Sequence, residues 1–193
     1  VKKKLEEVKI VVLGAGAAGY GIAKLLIHAG AKNLIILDSK GIIYEGREDL
    51  NTYKQELAKI TNKQKQAGAL PDALKKSDVF IGVSGQKNII THKDIKTMNN
   101  QPIIFALSNP EGEISWEEAK KGGAAVIATG RSDVKNQVNN SVCFPFIMRK
   151  ILDENIKTID QKLLYDVAKR IAAKVKNPTA QKIIPLVSEV KHI

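Results

Sequence analysis

The chain runs to 193 residues, 44% hydrophobic and 26% charged, which suits one globular domain burying roughly 70% of the surface its unfolded form exposes. No apolar run nears the roughly 20 residues of a membrane span and no signal peptide is evident, so neither a membrane protein nor a membrane partner is expected. The net charge of +11 comes from 27 Lys and 4 Arg scattered along the chain, whereas nucleic-acid readers cluster their charge and use Arg for bidentate contacts; the expectation is a solvated lysine surface that attracts anionic ligands, with no nucleic-acid partner.

The chain opens VKKKLEEVKI without an initiator methionine; residues 1–7 read as a frayed lead-in to an excised single domain spanning 1–193. VKIVVLG (8–14) is a short apolar run ending in glycine, the pattern of a buried parallel strand. AAGYGIAKLLIHAG (17–30) carries helical apolar spacing through Ile22, Leu25, Leu26 and Ala29, with Gly30 as C-cap. NLIILD (33–38) is the second strand. A polar, helix-capable stretch over 51–59 leads to a short helix in PDALKKS (71–77) and to the strand DVFIGVS (78–84). THKDIKTM (91–98) reads as helix, PIIFALSNP (102–110) as a strand and its exit, SWEEAKKGG (115–123) as a short helix behind an N-cap serine, and AAVIATG (124–130) as the last strand. Helices over 139–151 and 159–175 form the tail, the second opening on the capping box Thr158-x-x-Gln161. Residues 152–193 read as a C-terminal helical extension. Such alternation predicts an α/β, Rossmann-like, doubly wound parallel sheet, here with C-terminal helices.

That context gives weight to Gly14-x-Gly16-x-x-Gly19, which follows a strand and opens a helix. Gly14 permits the tight turn, Gly16 lets the backbone approach a pyrophosphate, and Gly19 lets helix and strand pack closely. The loop Gly14, Ala15, Gly16, Ala17, Ala18 and Gly19 then holds the pyrophosphate on free N–H groups at the helix N-terminus. Asp38, ending the second strand, is placed to accept hydrogen bonds from the adenosine ribose. A carboxylate there repels a 2′-phosphate and favours NAD; Asp38-Ser39-Lys40 puts a cation two residues on, which keeps NADP possible. At later strand ends Val83 is suited to line the cofactor and Ser84 to hydrogen-bond it. Asn109 in SNP (108–110) either meets a ligand at the crevice or makes an Asx turn before Pro110.

TGRSDVKNQVNNSVCFPFIMR (129–149) is crowded with polar groups before an apolar helix. Asn139 and Asn140 can cap that helix or bind a carboxylate at its positive end. Arg131 is a surface arginine or a carboxylate partner. The single cysteine, Cys143, excludes an internal disulfide, fits a reducing, cytoplasmic setting, and reads as packed rather than reactive. His28, His92 and His192 are too dispersed for a metal site.

GAGAAGYGIAKLL, LDSKGII, FIGVSG, IIFALSNPEGEI, IATGRSD and NQVNNSVCFPFI, in this order and spacing, resemble the NAD-binding domain of malic enzymes, the shorter prokaryotic type, over roughly residues 8 to 190. The resemblance implies oxidative decarboxylation of L-malate to pyruvate and CO2, hydride transfer to NAD or NADP, and a Mg2+ or Mn2+ ion. It implies that Asn109 and Asn140 approach the nicotinamide ribose and the malate carboxylate, with Asn139 beside them. In that family the catalytic tyrosine and lysine and the acidic metal ligands lie on a preceding domain. This chain therefore reads as the cofactor half of a metal-dependent, homo-oligomeric enzyme, with no catalytic or metal-binding residue of its own and exposed apolar surface where the other domain docks. Phe146 stands where the family usually has glycine, which strains packing near Asn139 and Asn140; Gly112 replaces a common proline and is expected only to loosen a loop. Two other readings stand beside this one: the nucleotide domain of an amino-acid or shikimate-type dehydrogenase, and a non-catalytic NAD-binding module.

Overall fold

The computed structural model describes residues 1–190. Strands β1 (Lys9–Leu13), β2 (Asn33–Asp38), β3 (Gly41–Ile42), β4 (Val79–Gly82), β5 (Ile103–Ala106) and β6 (Val126–Thr129) form one six-stranded sheet in the order β3-β2-β1-β4-β5-β6. Every neighbouring pair is parallel except β2 and β3, which form an antiparallel hairpin. Helices α1 (Ala17–His28), α2 (Thr52–Ile60), α3 (Leu70–Leu74), α4 (His92–Ile95), α5 (Trp116–Lys121), α6 (Phe144–Asp153) and α7 (Gln161–Ala173) complete the chain. The fold is the Rossmann-like α/β sheet that the strand–helix alternation implies.

The central strands are apolar throughout because both of their faces are covered. Val11, Leu13, Ile35, Leu37, Phe80 and Ile104 pack against Ala73, Leu74, Ile95 and Ala119 from α3, α4 and α5. Ile10, Val12, Leu34, Ile36 and Ile81 point the other way, onto Ala23 of α1 and Leu57 and Ala58 of α2. A third cluster, around Val142, Leu163, Val167, Ile171 and Val190, sits within the tail. Its helix α7 lies beside α1, with the Tyr165 ring edge-on to His28.

Gly30 ends α1 as expected: its backbone turns left-handed at φ 104°, Gly30 N–H reaches Ile27 O, and Ala31 N–H reaches Leu26 O. Six features differ from what the sequence implies. The hairpin strand β3 is unforeseen because only two residues long; Gly41, at φ 120°, closes its turn and Ile42 is buried. The helix expected over 139–151 is broken into a 3-10 turn at 140–142 and α6, since Pro145 has no N–H and fits only a helix's first turn. The cap of α7 is Asp160, whose carboxylate accepts from Leu163 N–H at 2.8 Å, and not Thr158. Gly112 is no loose loop position: a Cβ there would stand 2.9 Å from the Ala106 Cβ. Phe146 finds room in the tail cluster. The lead-in is tied down, Lys3 Nζ pairing with Asp78 and the Asn100 carbonyl, both at 2.6 Å.

Asn136 fastens the tail to the sheet edge. Its buried carboxamide donates to Ile127 O and Ala180 O, both at 2.9 Å, and accepts from Ile183 N–H at 3.0 Å. Its backbone sits at φ 57°, a left-handed position that Asn tolerates. Asn136→Ala strips all three bonds and takes this partner from the buried Ile127 carbonyl, so urea unfolding is expected to show a loss of about 2–4 kcal/mol.

Candidate functional site

The sheet order reverses direction at β1, whose neighbours β2 and β4 carry the chain to opposite edges; in open α/β sheets the crevice for ligands opens there, beyond the carboxyl ends of the strands. The glycine loop occupies that point. Gly14, at φ 114°, leaves no room for a side chain, since a Cβ would stand 2.5 Å from Val83 O. At Gly19 a Cβ would stand 1.8 Å from Gly14 O, so α1 rests directly on the loop backbone. Gly16 is different: a Cβ there meets no protein atom within 4 Å. It is also the N-cap of α1, with no side-chain cap and no acid in the first turn, so the N–H groups of the exposed Ala17 and Ala18 face outward unpaired by the helix.

A cavity of about 730 Å3 opens in front of this loop. Gly14, Ala15, Gly16, Asp38, Ser39, Lys40, Val83 and Ser84 all line it, together with Asn51, Lys54, Gln86 and Ile89. Of the residues expected there, Gly19 is buried behind the wall, Ala17 and Ala18 are exposed beyond the lining, and Asn109, Asn139 and Asn140 stand outside this cavity.

The Asp38 carboxylate is only 6% exposed and already occupied. Its Oδ2 accepts from Arg47 Nη2 at 2.5 Å and from Lys54 Nζ at 2.6 Å, and Oδ1 accepts from Lys40 N–H at 3.0 Å. Burial pushes this carboxyl up, but the Arg47 and Lys54 hydrogen bonds with the Lys40 amide outweigh burial and hold it at about 2. Arg47 is itself locked, donating also to Asp49 and to the carbonyls of Gly41 and Ile42. Lys54 lines the cavity with N–H donors to spare, and Lys40 Nζ, largely in solvent, rests on Asp49 at 3.0 Å. Neither Arg47 nor Lys54 had a periodic signal tying it to Asp38; the loop 44–51 folds back to bring them there.

At the exits of β4 and β5 the organiser is Glu113, fully buried. Ser84 donates to it through both N–H (2.9 Å) and hydroxyl (2.8 Å), and the Ser108 hydroxyl does so at 2.6 Å. The Ser84 hydroxyl expected to meet a cofactor is therefore turned inward, though Ser84 still forms cavity wall. Asn109 is exposed, its carboxamide against Gly130, and makes no Asx-turn bond among the described residues. Asn139 does cap, accepting from Ser141 N–H at 2.9 Å, and Asn140 stands exposed beside it. Arg131 pairs with Asp133 in solvent. Cys143 is half-buried and burial pushes its thiol up, as suits a packed cysteine. Among the described residues no three His, Cys, Asp or Glu side chains gather as metal ligands, and no helix is long and apolar enough to cross a membrane.

The family model described as the malic enzyme NAD-binding domain matches residues 1–193. A bifunctional malic/malolactic enzyme of Bacillus subtilis is 43% identical over 186 residues, covering 95% of this chain and 45% of that protein. An NADP-dependent malic enzyme of Halomonas elongata is 42% identical over 94% of this chain and 43% of its own length. The crystal structure of an NAD-dependent malic enzyme from Thermotoga maritima superposes with a TM-score of 0.92 at 45% identity, over 98% of this chain and 50% of that one. The chain thus spans about half the length, or less, of the relatives it matches.

The Asp38 cluster has a measurable consequence. A carboxyl lowered from 3.8 to about 2 stabilises the fold above its unfolded value and loses that contribution as pH falls through its folded value. Between pH 5 and pH 2 Asp38 is expected to account for a loss of about 2 kcal/mol. Urea midpoints across that range should show this share of the acid sensitivity missing from Asp38→Asn.

Proposed function

Because the chain belongs to the malic enzyme NAD-binding domain family, we propose that it is the cofactor half of an enzyme that oxidatively decarboxylates L-malate to pyruvate and CO2, passing hydride to NAD or NADP. The observation that carries the nucleotide reading is Gly16. The fold itself needs Gly14 and Gly19; Gly16, in the same loop, faces open space and is not required by the fold, while a ligand brought against the backbone there would require it. Pyrophosphate oxygens placed there meet the N–H groups that open α1. Bound nucleotide supplies the hydride acceptor; the residues of this chain hold and orient it.

Asn109 and Asn140 are proposed to face the nicotinamide ribose and the malate carboxylate, with Asn139 beside them, capping the turn that carries Asn140. The catalytic tyrosine and lysine, and the carboxylates for Mg2+ or Mn2+, are assigned to the preceding domain of the longer protein. Residues 1–193 are read as one domain, the tail included, because α7 packs on α1 and Asn136 bonds residues 180–183 to the sheet edge. Phe144, Met148 and Leu152 recur every four residues along α6 and are 59%, 38% and 72% exposed. This apolar stripe suits the docking of the preceding domain in a homo-oligomeric enzyme.

The ribose end is proposed to take both nucleotides. Asp38 is charge-neutralised by Arg47 and Lys54, so it repels a 2′-phosphate little, while Lys54, Lys40 and Ser39 stand ready to donate to one. Relatives include NAD-dependent and NADP-dependent enzymes, in keeping with this. Lys54→Ala is expected to weaken NADP binding about tenfold, the worth of one charge-assisted hydrogen bond, and NAD binding far less.

Calorimetric titration with each nucleotide tests the reading. Gly16→Ala should keep the native unfolding temperature yet lose at least about tenfold in affinity, the Cβ displacing the pyrophosphate from its donors. Gly19→Ala should instead destabilise the fold. Unchanged nucleotide affinity in Gly16→Ala would remove the main support for the site.

A further inference from the structure

Glu113 is a fully buried carboxylate whose partners are all neutral. Its Oε1 accepts from Ser84 N–H, the Ser84 hydroxyl and the Ser108 hydroxyl at 2.6–2.9 Å, and Oε2 is approached by Ser108 N–H at 3.4 Å. Both hydroxyls already accept a backbone N–H, Ser84 Oγ from Gln86 at 3.2 Å and Ser108 Oγ from Gly85 at 2.8 Å. Their own protons are therefore directed at Glu113, and every group facing it is a donor. That is the environment of an anion, yet among the described residues no Lys, Arg or His pairs with it. Burying an uncompensated charge is costly, so a cation brought close by binding would be favoured.

Where that cation comes from follows from the crevice. Asp38 and Lys54 mark the adenosine end, beside β2, and a dinucleotide laid across the glycine loop points its other end toward the exit of β4, where Val83 and Ser84 line the cavity. Glu113 stands one serine behind that wall: Ser84 lines the cavity and is bonded to the carboxylate. Gly82 allows it to sit so close, because a Cβ there would lie 2.3 Å from Glu113 Cδ. We infer that Glu113 sets the charge preference of this end of the crevice, favouring the cationic nicotinamide ring of the oxidised nucleotide over the neutral ring of the reduced one. It is a positioning residue that acts through the Ser84 wall and through its field. The inference rests on the nucleotide reading above.

The test is calorimetric titration of the chain with oxidised and with reduced nucleotide. Glu113→Gln keeps the shape and removes the charge; its affinity for NAD should fall at least about threefold further than its affinity for NADH. Ser108→Ala, which removes a hydrogen bond and keeps the charge, should move both affinities alike. Equal losses in Glu113→Gln would overturn the inference and leave the nucleotide site standing. The native chain offers a second measurement that needs no variant to fold: NAD against the dinucleotide in which an uncharged benzamide ring replaces the cationic nicotinamide. Tighter binding of NAD is expected, and equal binding would overturn the inference. Failure of the native chain to bind any of these dinucleotides would bring down the nucleotide reading itself and the inference with it.

Discussion

The contact on which the site depends is the approach of α1 to the end of β1. With a Cβ at Gly19 lying 1.8 Å from Gly14 O, only glycine lets the helix's first turn rest on the strand exit. Gly14 does the same for β4, whose exit at Val83 would meet its Cβ at 2.5 Å. Two glycines therefore bring two strands and a helix to one point. The buried apolar strands hold that point rigid: Val11 and Val12, fully covered on opposite faces, leave the loop little freedom to move. What remains open is the space in front of Gly16, edged by the first N–H groups of α1.

Charge is then arranged differently at the two ends of the crevice. At the ribose end a buried carboxylate, Asp38, is cancelled by Arg47 and Lys54, and excess positive charge on Lys54 and Lys40 faces the cavity. At the far end Glu113 is held by serine hydroxyls and amides alone, which satisfy its hydrogen bonds without neutralising it. An adenosine carrying phosphate suits the first environment and a cationic ring the second. Asp38 forms part of the cavity wall and Glu113 stands behind it, and both set the charge of the crevice.

The sheet was legible because parallel strands buried on both faces write continuous apolar runs, as in NLIILD, whose bounds at 33–38 match β2 residue for residue. The glycine loop is legible because Gly14 and Gly19 answer local steric needs at fixed spacing between a strand and a helix, with Gly16 between them. What escaped were relations between distant segments. Arg47 and Lys54 reach Asp38 across a loop with no period, Glu113 reaches back under two strand exits, and Asn136 waits for residues 180–183. The internal partners of Asp38 and Ser84 are of the same kind: Arg47, Lys54 and Glu113 come from outside each residue's own segment. The break at Cys143 has a local cause, Pro145, inside a stretch whose apolar periodicity runs on without interruption.

The most direct measurement is a backbone amide NMR titration of the chain with NAD. The account predicts that the largest shifts fall on the amides of Gly16, Ala17, Ala18 and Gly19, with further shifts at Ser39, Lys40, Ser84 and Gly85. Shifts confined to surface lysines, or absent from the start of α1 while nucleotide is bound, would contradict it.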